Sequence, residues 1–199
     1  STMNNVLSIS GLALDIDDTL SWTCREWVDV LHTEFGNPEN LTKHEFAKKY
    51  RLLENAHYFQ NDTVMARCRE MCFDELSYTS IPPIEDALPA IAQISQVIPI
   101  GVYLTARPEV IRGTTKEWLR ANGFPEAELI MNPVFSVGRK GNWKQDVLAR
   151  LFPRIVGIID DNPDLCTHLP DDYPGVVFLY GHGDEPSPHP RAIPCGDWS

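Results

Sequence analysis

The sequence has no apolar run approaching the ~20 residues that a membrane-spanning helix needs, so we expect no membrane partner. Positive charge is also scarce, since 17 basic residues against 28 acidic ones give a formal net charge of −11. This balance argues against a broad nucleic-acid-binding surface and against docking on anionic lipid. A small anionic substrate remains compatible with it, because a bound divalent cation reverses the local sign of the field.

Cysteines are few, and their spacing forms no framework: Cys24, Cys68, Cys72, Cys166 and Cys195. An odd number without tight pairs does not indicate disulfides, and no signal-peptide pattern precedes the first predicted strand. Cys68 and Cys72 share a helical face, but no nearby histidine or third cysteine completes a zinc site. We therefore expect reduced thiols and a cytoplasmic protein.

Short apolar runs alternate with amphipathic helical patterns along most of the chain. The runs lie at 11–14, 98–104, 154–159 and 176–180, with a weaker one at 129–131. The helical patterns between them cover 84–96, 109–122 and 142–151. This alternation predicts an α/β fold: a Rossmann-like parallel sheet of about five strands with helices on both faces.

One long segment departs from the alternation, because it contains helical patterns and no convincing strand. An apolar stripe runs from Thr23 to Phe35, and Thr42 and Glu45 fit a capping box. A further helix begins at Asn61 and runs towards Leu76. We predict a small all-helical cap insertion over 21–80, and an α/β core made of 4–20 and 81–199. Such an insertion directly after the first strand is typical of a lid.

The C-terminal tail is rich in proline, glycine, histidine and aspartate from His182 onward. This composition predicts irregular structure. We expect His182 and His189 to be solvated.

Chemically active side chains follow three of the predicted strands. Asp15 and Asp17 follow the first, Thr105 ends a later one, and Asp160 and Asp161 end another. In an open parallel sheet, ligands bind outside the carboxyl ends of the strands. Each aspartate alone is explained equally well as a cap of a turn. Together, however, so many carboxylates require a cation, and oxygen ligands of this kind select Mg²⁺.

These features resemble the four-motif signature of the haloacid dehalogenase superfamily of phosphatases. The resemblance covers roughly residues 11 to 165 and runs through Asp15-Ile16-Asp17-Asp18-Thr19, then Thr105, a lysine and Asp160-Asp161. It implies that Asp15 is the nucleophile and forms an aspartyl-phosphate intermediate. It also implies that Asp17 is the general acid and base, and that the Thr105 hydroxyl and backbone amides hold the phosphoryl oxygens.

The same resemblance implies the metal ligands. Magnesium would be held by the Asp15 carboxylate, the Asp17 backbone carbonyl and Asp161, with Asp160 either supporting Asp161 or contacting metal-bound water. An aspartate two residues after the nucleophile is the phosphatase pattern of the family, so hydrolysis of a phosphomonoester is favoured over its other reactions. Asp18 is expected to be structural.

Two basic positions are left with alternatives. Lys144 resembles the family's motif lysine better than Lys140 does, and either one would neutralise Asp15 and the substrate phosphate. Arg107 would either bind the phosphate or substrate, or pair with an acidic neighbour at the rim of the site.

The expected partner is a small phosphorylated metabolite. A nucleotide is the first choice, because deoxyribonucleotidases have similar small helical lids and an Asp-Asp fourth motif. A lipid phosphatase and a phosphatase of nucleic-acid ends are alternatives within the superfamily. A catalytically silent, phospho-ligand-binding member would be expected to lack Asp15, Asp17 or the Asp160-Asp161 pair, and none of these is missing.

Overall fold

A computed structural model describes residues 10–133 and 143–199. Within them, one sheet of six strands is formed in the order β3-β2-β1-β4-β5-β6, and every neighbouring pair is parallel. The strands are β1 (Gly11–Leu14), β2 (Ile100–Pro108), β3 (Glu128–Asn132), β4 (Ile155–Asp160), β5 (Val176–Leu179) and β6 (Ala192–Pro194). The predicted fold class is confirmed, with one strand more than the expected five or so.

β1 is a central strand and is buried along its whole length. It lies between β2 and β4, in a register that sets Leu14 beside Tyr103 and Ile159. Its side chains alternate between two separate apolar clusters, one containing Leu12 and Leu14 and the other containing Ala13. Both faces of the sheet are therefore covered, as a parallel sheet requires.

The helices that follow the strands are short and amphipathic. They are α1 (Thr23–Phe35), α2 (Lys43–Tyr50), α3 (Asp62–Phe73), α4 (Ala87–Val97), α5 (Arg112–Ala121), α6 (Trp143–Leu151) and α7 (Asp164–Thr167). Among the described residues, no helix has the length and apolar character that a membrane crossing requires.

Segment 21–80, which the structure describes throughout, consists of helices joined by turns and irregular stretches, and its only strand-like pairing is the single bridges at Ser21. α1 has the predicted bounds. Thr42 caps α2 as expected, since its hydroxyl accepts from the Glu45 amide at 3.2 Å while the Glu45 carboxylate accepts from the Thr42 amide at 3.3 Å. α3 ends at Phe73 rather than near Leu76, because Asp74 is extended and caps a separate 3₁₀ turn. The division into cap and core stays a prediction.

The expectation for the C-terminal tail was wrong in two respects. Residues Ala192–Pro194 form β6 on the edge of the sheet, where Ile193 lies in register with Phe178. His182 and His189 are each only 6% exposed instead of solvated. The His189 ring nitrogen donates to the carbonyl of Leu169 at 3.0 Å. A three-residue strand ending in proline has too little pattern to be detected, and its pairing depends on the strand beside it.

Candidate active site

Asp15 is the first residue beyond the central strand β1. Its amide donates to the Ile159 carbonyl at 3.0 Å, which extends the pairing with β4 by one residue. Its carboxylate is buried and receives two bonds: the Lys144 ammonium lies 2.9 Å from Oδ1, and the Thr19 hydroxyl lies 3.0 Å from Oδ2. Lys144 comes from the first turn of α6. The strand and the helix together fix the orientation of this carboxylate.

Asp160 and Asp161 meet Asp15 at the end of β4. One oxygen of each of the three carboxylates lies within 4.8 Å of the others. The Lys144 ammonium also donates to Asp160 Oδ2 at 2.6 Å, and the Asn162 amide donates to Asp160 Oδ1 at 2.9 Å. Both Asp160 oxygens are thus engaged by the protein. We call Asp15, Asp160 and Asp161 the carboxylate cluster.

The carboxylate cluster has more negative charge than its lysine balances. Burial, and then repulsion from Asp15, raise the pKa of Asp160 to about 6 although Lys144 opposes the shift. Burial, Asp15 and Asp160 raise the pKa of Asp161 well above its usual range. For Lys144, burial lowers the pKa, but the two neighbouring carboxylates outweigh it and the pKa is raised. A divalent cation here would relieve the repulsion.

The Asp17 side chain is held apart from the carboxylate cluster. The Arg107 guanidinium forks onto it, with Nη2 2.7 Å from Oδ1 and Nε 3.0 Å from Oδ2. The Thr23 hydroxyl also donates to Oδ1 at 2.6 Å. Burial raises the pKa of Asp17, but Arg107 outweighs burial, so the pKa is lowered. Of the two expected positions for Arg107, the structure shows the pairing with an acidic neighbour.

The remaining predicted site residues divide into three cases. Thr105 is fully buried near the end of β2, and its hydroxyl accepts from the Arg107 amide at 3.2 Å. Asp18 accepts from the Cys24 amide at 2.9 Å at the start of α1, which fits the expected structural role. Lys140 lies outside the described residues.

Comparison with known proteins gives a distant sequence relative and many structural ones. No family model matches the chain. It is 26% identical over 155 residues to an Oceanobacillus iheyensis protein named "Putative nucleotidase", with 78% of each chain covered. A dehalogenase crystal structure matches it with a TM-score of 0.57 at 9% identity, covering 94% of both chains. A haloacid dehalogenase superfamily hydrolase of subfamily IA from Geobacter sulfurreducens matches with a TM-score of 0.53 at 11% identity, covering 96% and 95% of the two chains.

The chain has the haloacid dehalogenase fold. At these identities the structural likeness concerns the fold alone, so the roles of individual residues rest on the geometry of this site. In this site, Asp15 lies at the end of the central strand, beside Lys144 and the Asp160-Asp161 pair.

Thr19, which has no role in the site predicted from the sequence, joins the two sides of the carboxylate cluster. Its hydroxyl lies 3.0 Å from Asp15 Oδ2 and 3.2 Å from Asp161 Oδ1, and it accepts from the Asp161 amide at 3.1 Å. Its own carbonyl accepts from the Trp198 indole at 2.8 Å. A hydroxyl four residues after Asp15, in the turn that closes on Ile16, was the available signal.

Proposed function

We propose that this protein is a Mg²⁺-dependent phosphomonoester hydrolase that works through an aspartyl-phosphate intermediate. The observation that carries the proposal is the separation of two carboxylates that are two residues apart. Asp15 lies with Lys144 in the carboxylate cluster, and Asp17 lies apart on Arg107. Carboxylates held in such different surroundings can serve as nucleophile and as proton carrier in one reaction.

The carboxylate cluster fits magnesium by the chemistry of its donors. All three residues offer carboxylate oxygens, which hard cations prefer, and burial together with repulsion between these carboxylates raises the pKa values of Asp160 and Asp161. Both oxygens of Asp160 already have protein partners, so we assign Asp15 and Asp161 as the direct ligands and Asp160 as their support. Bound magnesium would offset the charge of the phosphoryl oxygens.

In the first half of the reaction, an Asp15 oxygen attacks phosphorus and the bond between phosphorus and the leaving oxygen breaks. Asp17 gives the leaving oxygen a proton, so that an alcohol departs. Because Arg107 keeps Asp17 ionised in the substrate-free protein, this proton enters with the substrate, whose monoanion carries one. Lys144 offsets charge on Asp15 throughout.

In the second half, a water oxygen attacks the phosphorus of the intermediate. Asp17 takes a proton from that water, and the bond between phosphorus and the Asp15 oxygen breaks. The proton on Asp17 passes to the departing phosphate, so that both Asp15 and Asp17 return as carboxylates.

Dehalogenation, the reaction named for one structural neighbour, is less well supported by these residues. Displacing a halide from carbon releases a weakly basic anion that needs neither a proton nor a cation. An alkoxide displaced from phosphorus needs a proton, and the negative charge of the phosphoryl oxygens needs a cation. The Asp17 carboxylate and the carboxylate cluster therefore favour phosphoester hydrolysis.

We further propose a small phosphorylated metabolite as substrate, with a nucleotide as the first class to test. The name of the Oceanobacillus protein supports the nucleotide. The small size of the substrate is supported by helical segment 21–80, which follows directly on the loop that carries Asp15 and Asp17. The net charge of −11 favours neither nucleic acid nor membrane as a partner.

The test is phosphate release from para-nitrophenyl phosphate and from a phosphometabolite panel that includes deoxynucleoside monophosphates. We expect turnover that requires Mg²⁺ and is abolished by EDTA. Asp15→Asn should lose at least about 10³-fold in kcat. Chloride release from 2-chloroacids serves as the dehalogenase arm. No phosphate release across the panel, or full activity in Asp15→Asn, would overturn the proposal.

A further inference from the structure

The guanidinium that holds Asp17 lies over the ring of Tyr78. Arg107 Cζ is 4.3 Å from the centroid of the Tyr78 ring, and both side chains are about 2% exposed. A cation over an aromatic face at this distance, away from water, is a favourable electrostatic contact. Tyr78 belongs to the last part of segment 21–80, whereas Arg107 belongs to β2 of the sheet.

All three nitrogens of the Arg107 guanidinium form hydrogen bonds. Two of its nitrogens bond Asp17, and the third, Nη1, donates to the Thr115 hydroxyl of α5 at 3.1 Å. Its amide is tied to Thr105. The guanidinium is thus fixed by Asp17 and Thr115 through hydrogen bonds and by the Tyr78 ring through the cation–π contact, and this rigid fork sets the orientation of the Asp17 carboxylate.

Tyr78 is itself held by the helices of segment 21–80. Its hydroxyl donates to the Cys72 carbonyl of α3 at 2.8 Å, and its ring meets the Trp27 ring of α1 edge-on at 5.3 Å. The Trp27 indole donates to the Ser77 carbonyl at 2.9 Å, beside Tyr78 in the chain. The helical segment therefore presents the ring in one orientation.

We propose that Tyr78 is a positioning residue for the reaction: by fixing Arg107, it holds the Asp17 carboxylate where it passes a proton to the leaving oxygen. The inference rests on the proposed function. It gives the helical segment a part in the proton transfer, in addition to limiting access to the site.

The nature of the leaving group makes this role measurable. A para-nitrophenolate ion is a weak base and leaves with little need for a proton, whereas the alkoxide of an alkyl phosphate needs one. A misplaced Asp17 should therefore slow an alkyl phosphate much more than para-nitrophenyl phosphate. General loss of structure would slow both substrates alike.

The experiment compares Tyr78→Leu, which removes the ring, with Tyr78→Phe, which keeps it and loses only the hydroxyl. For Tyr78→Leu we expect kcat to fall about 30-fold with 2-glycerol phosphate and about 3-fold with para-nitrophenyl phosphate, with each KM within about 3-fold of wild type. Tyr78→Phe should stay within about 2-fold on both substrates. Leu76→Ala, at a neighbouring side chain that is 77% exposed, is the control for substitution in this stretch.

One further variant keeps the inference falsifiable if Tyr78→Leu folds poorly, and a double variant tests it where Tyr78→Leu folds. Arg107→Lys retains the charge but loses the fork, and it should show the same selective loss on the alkyl phosphate. In an Asp17→Asn background, Tyr78→Leu should cause no further selective loss, because the carboxylate to be positioned is gone.

Equal losses on the two substrates, or a Tyr78→Phe variant as slow as Tyr78→Leu, would overturn the inference and leave the proposed function standing. A folded wild-type protein that hydrolyses no phosphoester at all would overturn both.

Discussion

At the level of single residues, two buried cations divide the acidic groups of the site between them. Lys144 forms ion pairs with Asp15 and Asp160, while Arg107 forms an ion pair with Asp17. As a result, Asp15 and Asp17, which lie in the same loop, have different electrostatic surroundings. Asp15 shares its surroundings with two further carboxylates, and Asp17 is neutralised by a guanidinium. Different roles for the two then follow from their neighbours.

Lys144 provides the first prediction. Lys144→Met should lower kcat by about 100-fold or more, because the charge of Asp15 and of the phosphoryl group would lose a preorganised partner. The same change at Lys140 is the matched control and should leave kcat within about 3-fold. Kinetics with Mg²⁺ and para-nitrophenyl phosphate decide between them, with thermal unfolding as a check on folding. The reverse ranking would assign the role to Lys140.

The residues that could be found from the sequence are those at the ends of buried strands. Asp15, Thr105 and Asp160 follow apolar runs, and the topology of a parallel sheet brings such positions to one edge. Thr19 and Tyr78 were not found, because their contacts depend on how a turn closes and where a helical segment packs. No spacing rule contains that information.

At the level of elements, the C-terminal segment contributes more than its composition indicates. β6 pairs with β5 at the sheet edge, and the chain then returns so that Trp198 stacks on Tyr180 with ring centroids 4.9 Å apart. The Trp198 indole donates to the Thr19 carbonyl at 2.8 Å. The last residues of the sequence are thereby tied to the turn that carries the carboxylate cluster.

This tie provides the second prediction. Removal of Trp198 and Ser199 should lower kcat about 10-fold and raise the Mg²⁺ concentration needed for half-maximal activity, since Thr19 contacts both Asp15 and Asp161. Trp198→Phe keeps an aromatic ring on Tyr180 and loses only the N–H donor, so its loss should be about 3-fold. Magnesium titrations of activity provide the measurement. An unchanged Mg²⁺ dependence in the truncated protein would contradict the prediction.

Segment 21–80 also reaches the C-terminal segment, at the end of α2. The Arg51 guanidinium lies 3.1 Å from Glu185 and 2.5 Å from the His182 ring, and that ring donates to the Asp161 carbonyl at 2.6 Å. Arg51 has a positive φ of 64°, which is uncommon for a side-chain-bearing residue. Arg51 and His182 border a cavity of about 130 Å³ next to Asp161.

The third prediction concerns this contact. Arg51→Ala should raise KM about 5- to 10-fold and change kcat by less than about 3-fold, because Arg51 borders the cavity next to Asp161 and makes these contacts without touching Asp15 or Asp17. Arg67→Ala is the matched control, since Arg67 pairs with Glu34 at 2.9 Å inside the same segment. Steady-state kinetics on the preferred substrate provide the measurement. A fall in kcat with an unchanged KM would show that this view of Arg51 is wrong.

For the whole molecule, the sequence predicted the class of the sheet but not its arrangement. The order of the strands depends on close packing, as between β4 and β5 at Gly157, where an added Cβ would lie 2.4 Å from the Val176 carbonyl oxygen. Such contacts join residues far apart in the chain. The same packing buries acidic residues that a sequence pattern would leave at the surface, and this burial has consequences for stability.

The fourth prediction follows from that burial. The pKa of Asp160 is raised to about 6 by burial and by Asp15, so the folded protein binds more protons than the unfolded chain between about pH 4 and pH 6. Without metal, the free energy of unfolding therefore loses a contribution of about 3 kcal/mol as the pH rises through this window. Asp161, whose pKa is raised as well, adds to the effect.

Magnesium should restore this lost stability. The Asp161→Asn variant distinguishes the contribution of the carboxylate cluster from that of the other titrating groups. The variant should be more stable than wild type without metal at pH 7.5, by about 5 °C in Tm, and nearly equal to it at pH 4.5. Saturating Mg²⁺ should raise the wild-type Tm at pH 7.5 and raise that of Asp161→Asn much less. Thermal unfolding at both pH values, with Mg²⁺ or with EDTA, tests each point. Because other titrating groups are common to both proteins, a Tm difference that does not change with pH would mean that the carboxylate cluster is not the source of the repulsion.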